Sequence, residues 1–157
     1  MKTLEISVMN AHKAYLKADG TGRELLLNLF GKETFSENLP ITEYVKTFED
    51  ACHINSTTHV EPSFDLAEDT KAVLAYYKLI IIARALNEGW EPNWDDSNEY
   101  KYYPWFRLSG SGFSVSYYDY SDAITYVGSR LCFKTKELAL YAGKQFEELY
   151  KDYFLLN

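Results

Sequence analysis

Tyr100 to Lys134 reads YKYYPWFRLSGSGFSVSYYDYSDAITYVGSRLCFK, and this stretch decides the fold class. Three runs within it, roughly 100–108, 112–119 and 126–134, are rich in aromatic and β-branched residues. Such side chains suit a pleated, half-buried surface. Ser109-Gly110-Ser111 offers a tight hairpin turn between the first two runs. Because strand side chains alternate between faces, Phe106 and Leu108, Phe113, Val115 and Tyr117, and Leu131 and Phe133 form apolar sets that the last helix of the chain can cover. The complementary face collects Tyr103, Trp105 and Arg107, then Ser114, Ser116 and Tyr118, then Arg130, Cys132 and Lys134.

Beyond Lys134, Thr135 caps a helix predicted over 136–154, with Leu138, Ala142, Phe146, Leu149 and Tyr153 on one stripe. Gly143 lies inside it, where glycine costs about 1 kcal/mol relative to alanine, so another element is expected to approach closely there. Upstream, Trp90 to Glu99 is an acidic loop. Before it, Val73, Leu74, Tyr77, Ile80, Ile81 and Leu86, widened by Tyr76, Leu79 and Ile82, mark a central helix over 66–88. An apolar arc that wide predicts packing on several sides. Asp65 and Glu68 have capping-box spacing, and Asn87-Glu88-Gly89 ends the helix. Residues 55–64 are a polar loop, and Thr47 caps a short helix over 48–54. The first forty residues read as helix broken near Gly20-Thr21-Gly22, resuming in RELLLNLFG with Gly31 as its terminator. Helices, then strands, then a helix predict a single α+β domain over 1–157. Its three-stranded antiparallel sheet packs with the central, C-terminal and N-terminal helices.

A chain of 157 residues with 46% hydrophobic and 17% aromatic content excludes general disorder, and it is long enough to bury a core without disulfides or metal. Sixteen bases against 23 acids leave a net charge of −7. That balance disfavours duplex binding, which draws its non-specific affinity from phosphate neutralisation. Cys52 and Cys132 read as buried reduced thiols. The N-terminus has no apolar core of a signal peptide, and the longest apolar run, Leu79–Ala83, cannot cross a bilayer. A cytoplasmic protein with no membrane association is expected.

The strings GRELLLNLFGKETF, VKTFEDAC, WEPNWDDSNEYKYYPWF and GSRLCFKTKELALYAGKQFEELYKDY together resemble small uncharacterised proteins encoded in Bacteroides-type bacterial genomes and prophages. The resemblance runs from about Gly22 to Tyr153, and the order of Arg130, Cys132, Phe133, Lys134, Gly143 and Phe146 is its most specific part. It implies a bacterial or phage cytoplasmic origin. No activity is established for that group, so no catalytic residue is carried over.

Among candidate sites the sheet face is the most informative. Tyr103, Trp105, Arg107, Tyr118, Arg130 and Lys134 interleave aromatic rings with cations. Unpaired bases stack on such surfaces, and Tyr, Trp and Arg are also the usual anchors of protein interfaces. Helices from residues 1–55 covering this face are the alternative, and Cys132 favours it, since free cysteine is usually buried. The loop Asn93 to Glu99 has oxygens at alternate positions, as calcium loops do, but Asn98 stands where glycine is needed and Pro104 where a bidentate Glu is needed. Gly110-x-Gly112 leads into a strand rather than a helix, which rejects a dinucleotide fingerprint. Cys52, His53, His59 and Glu61 lack metal-ligand spacing. A Cys/His nucleophile built from Cys52 or Cys132 with His12, His53 or His59 has no local support. No phosphate-binding loop, nucleophile elbow, cofactor motif or metal motif is present. The expectation is a non-enzymatic protein-interaction or accessory factor of phage or mobile-element origin, with single-stranded nucleic-acid binding through the sheet face as the alternative.

Overall fold

The computed structural model describes residues 6, 8–35, 40–58, 67–109 and 112–155. Two compact units divide the chain, Met1–Tyr44 and Val45–Asn157.

In the first unit, α1 (Val8–Lys17) and α2 (Gly20–Phe30) precede a 3-10 turn at Glu33–Phe35 and the short α3 (Ile41–Tyr44). The helix break falls one residue before the predicted Gly20-Thr21-Gly22. Asp19 causes it: its carboxylate accepts the Gly22 N–H at 2.8 Å, and α2 restarts from that cap. Gly31 ends α2 at φ +78°, a conformation that favours glycine. His12 is buried and engaged at both ring nitrogens. Nε2 meets the Thr34 carbonyl, so it carries the proton, and Nδ1 accepts from the Tyr44 hydroxyl at 2.6 Å. The Phe35 ring packs against His12 and Tyr15 at 5.3 and 4.7 Å.

The second unit is built on α5 (Ala67–Asn87). Ala75, Leu79, Ile82 and Leu86, at helical spacing, are nearly inaccessible, whereas Val73 is exposed. The buried stripe therefore runs along the Leu79, Ile82 and Leu86 side of the predicted arc, takes in Ala75, and leaves Val73 at its margin. Helix α4 (Phe48–Ile54) opens with a reciprocal cap. Thr47 Oγ1 accepts the Asp50 N–H, and Asp50 Oδ2 accepts the Thr47 N–H, each at 3.1 Å. Asn55 Nδ2 donates to the Ile81 carbonyl at 2.8 Å and ties α4 to α5. The capping spacing from Asp65 to Glu68 lies outside the described residues.

Strands β1 (Lys101–Ser109) and β2 (Gly112–Ser121) form an antiparallel hairpin from Lys101↔Ser121 to Ser109↔Gly112. The predicted turn residues Gly110 and Ser111 lie outside the described residues. The fold is α+β with a two-stranded sheet, since residues 126–134 form no third strand. Only Phe133 pairs there, exchanging bonds of 2.7 and 3.0 Å with Tyr102. The flanking groups go to a side chain instead: Asn87 Nδ2 donates to the Cys132 carbonyl at 2.8 Å, and Asn87 Oδ1 accepts the Lys134 N–H at 3.0 Å. Upstream, Thr125 Oγ1 accepts the N–H groups of Val127 and Gly128, and Gly128 has φ +69°. That local turn competes successfully with a ladder.

The predicted C-terminal helix is two helices, α6 (Lys136–Gln145) and α7 (Glu147–Phe154), joined at Phe146, whose φ of −117° interrupts the helical backbone. Thr135 Oγ1 caps α6 by accepting the Leu138 N–H at 3.3 Å. Gly143 faces the sheet so closely that a Cβ there would lie 2.8 Å from Pro104 Cβ and 2.9 Å from Val115 Cγ2. Below it, the Phe106 ring packs on Phe113, Tyr150 and Phe154, with centroids 4.8, 4.8 and 5.7 Å away. The helices thus cover the predicted apolar face at these residues.

Candidate functional site

The other face of the hairpin has a closed end and an open end. At the closed end lie Lys101, Tyr103 and Ser121, all buried. The Lys101 side chain is fully inaccessible, and the acidic loop accounts for this. Its Nζ donates to the Asp96 carbonyl at 2.9 Å, lies 3.5 Å from Glu99 Oε1, and sits 5.4 Å from the centre of the Trp94 ring. Trp94 Nε1 donates to Ser129 Oγ at 2.7 Å. Glu99 Oε1 also accepts the Asn93 N–H, and Asp96 Oδ1 the Asn98 N–H. The cation that the Asp96 carbonyl and the Glu99 carboxylate approach is the protein's own ammonium. Burial, and after it the Asp119 carboxylate, pushes the Tyr103 phenol up to about 12. Its hydroxyl makes no hydrogen bond among the described residues.

At the open end stand Trp105 and Tyr117, 49% and 59% exposed and directly opposite each other in the ladder. Strict alternation predicts Tyr118, not Tyr117, beside Trp105. The reason is a β-bulge: Trp105 pairs with Tyr117 but Phe106 with Val115, leaving Ser116 unpaired. One extra residue moves every side chain after it to the opposite face. Tyr118 accordingly stands across from Pro104, on the side that α6 approaches. Its ring reaches the margin, packing on Tyr102 and stacking on Tyr117 with centroids 5.6 and 4.4 Å away. Tyr117 is the functional candidate that sequence reading misplaces. The adjacent bulky pair Tyr117-Tyr118, which breaks an alternating pattern, is the signal for it. Trp105 and Tyr117 to Tyr120 line a shallow depression of about 360 Å³.

The six predicted site residues therefore divide. Trp105, Arg107 and the margin residue Tyr118 belong to the open end, with Arg107 exposed opposite Ser114. Tyr103 is buried. Lys134 pairs with Glu88 at 2.6 Å, and Arg130 lines a different depression, alongside Arg84 and Trp90. The two depressions share no lining residue.

Both thiols are buried and free. Burial, ahead of the nearby charges, pushes Cys132 up to about 11 and raises Cys52 as well. Among the described residues, no group of three His, Cys, Asp or Glu side chains is placed to hold a metal ion, and no helix is long and apolar enough to cross a membrane. No protein-family model, curated protein or solved structure matches the chain.

Proposed function

We propose that this is a non-enzymatic binding protein that engages a protein partner through the open end of its sheet. The adjacency of exposed Trp105 and Tyr117, on a face that α6 and α7 do not cover, carries this reading. Large amphipathic rings of this kind anchor protein interfaces at low entropic cost. Arg107 flanks the rings as a cation, and Asp119, opposite Tyr103, supplies an acid on the same face. A cytoplasmic accessory factor of phage or mobile-element origin, as the resemblance to Bacteroides-type prophage proteins implies, is part of the proposal.

Single-stranded nucleic acid is the alternative. It needs a cationic groove beside the stacking rings. The dispersal of Arg130 and Lys134 away from Trp105, together with the net charge of −7, favours the protein partner. The test is a photo-crosslinking amino acid placed at Tyr117 and used in host cells. It should capture a discrete protein adduct that disappears when Trp105→Ala is added. Fluorescence titration with a labelled single strand of about 20 nucleotides should show no saturation at physiological salt. Micromolar, salt-sensitive binding of that strand, lost in Trp105→Ala, would overturn the reading in favour of nucleic acid.

A further inference from the structure

A depression of about 470 Å³ lies between the end of α5 and the segment before Phe133, away from the open sheet face. Its rim carries Arg84, Trp90, Glu91 and Arg130, and its floor includes Ile80 and Asn87. The volume falls within the roughly 300–1,000 Å³ typical of small-molecule sites.

The polar groups here are disposed unusually for an acidic protein. Neither guanidinium has a hydrogen-bond or ion-pair partner among the described residues, although acids outnumber bases by 23 to 16. Glu91, on the same rim, pairs with neither arginine. The neighbouring acid Glu88 is committed to Lys134 at 2.6 Å. Asn87 spends its amide on the backbone of Cys132 and Lys134, so it shapes the floor without offering a free acceptor. The Trp90 indole N–H likewise has no acceptor among the described residues. Donors without acceptors therefore converge on one concavity, beside a half-buried aromatic ring.

Arginine forks match the oxygens of phosphate in paired, charge-assisted hydrogen bonds. The flat indole suits a planar ring carried on the same molecule. We propose that the depression bounded by Arg84, Arg130 and Trp90 binds a small organic phosphate bearing a planar ring. Arg84 and Arg130 grip the phosphate oxygens, and Trp90 stacks on the ring.

Phenyl phosphate is the minimal test compound, with inorganic phosphate and phenol as its separate halves. At about pH 7.5 the monoester is largely dianionic. The full chain, labelled with 15N, is titrated while the Arg84 and Arg130 Nε and Trp90 Nε1 resonances are followed. Phenyl phosphate should shift all three saturably and bind at least about tenfold more tightly than either half. Arg84→Gln and Arg130→Gln should each weaken it about ten- to a hundredfold, the scale of one hydrogen bond to a charged group. Both residues are exposed, so the variants should retain the wild-type melting temperature. Absence of a saturable shift up to about 10 mM, affinity undiminished in both variants, or phenol binding as tightly as phenyl phosphate would each overturn the proposal. None of these results bears on the Trp105 face, which shares no residue with this site.

Discussion

Replacing Gly143 with alanine adds a single methyl group at the closest approach between α6 and the hairpin. Helix propensity alone favours the variant by about 1 kcal/mol. Packing opposes it: the methyl would lie 2.8 Å from Pro104 Cβ and 2.9 Å from Val115 Cγ2, where carbon atoms prefer about 3.5–4.0 Å. Val115 has little freedom at χ1, being β-branched, and Pro104 Cβ belongs to a ring fixed to a strand backbone. Relief must come from lifting α6 off the sheet by up to about 1 Å, which forfeits a quarter to a half of each neighbouring dispersion contact. Overpacking of this kind costs about 1–3 kcal/mol. The expected balance for Gly143→Ala is destabilisation by about 1–2 kcal/mol, and more for Gly143→Leu. A urea titration followed by far-UV circular dichroism measures it as a lower midpoint at unchanged slope. Lys144→Ala, one residue along and exposed, serves as the propensity control. A midpoint for Gly143→Ala above that of the wild type would refute the packing argument.

Three further outcomes follow from the same structure. Ile81→Ala, at a buried position in the middle of α5, should cost about 2–5 kcal/mol from lost transfer energy and a residual cavity; a loss below about 1 kcal/mol would show that this helix is not central. Asn87→Ala strands the Cys132 carbonyl and the Lys134 N–H and should cost about 1–3 kcal/mol, with amide exchange at Lys134 accelerating; unchanged exchange there would count against the side-chain clamp. Because burial raises Cys132 from 9.0 to about 11 and Tyr103 from 10.0 to about 12, the unfolded chain releases these protons first. Stability should be full below about pH 9 and fall as pH climbs through about 11; urea midpoints across that range test it, and Cys132→Ala should flatten the decline.

Local signals in the sequence translated well wherever the backbone's own chemistry decides. The Thr47 cap, the Gly31 terminator, the span of α5 and the tight approach at Gly143 rest on short-range sterics and hydrogen bonding, which composition and spacing display directly. What failed to translate depends on partners distant in sequence. Residues 126–134 have strand-like composition, yet Asn87, more than forty residues earlier, supplies the bonds a neighbouring strand would have made. Lys101 looks like an ordinary strand-edge charge until the acidic loop folds over it. The candidate site was half legible: Trp105 and Arg107 sit where alternation places them, but Tyr118 does not, because parity ends at Ser116. Arg130 belongs with Arg84 and Trp90, a grouping that no periodicity encodes.

The unpaired Ser116 gives the hairpin an arithmetic of its own. Point substitutions around it change what each face presents, but they leave the assignment of residues to faces intact. Removing Ser116 would restore simple alternation and leave Tyr117 beside Trp105 and Val115 opposite Phe106. Removing Ser114 would, in a regular ladder, turn Val115 away from α6 and put Ser116 in its place. Ser116 is small and exposed, so an alanine scan would pass over it as silent. A deletion scan would set it apart as the position of β2 whose loss keeps Val115 under α6 and Tyr117 beside Trp105, because it is the residue in excess of what alternation needs.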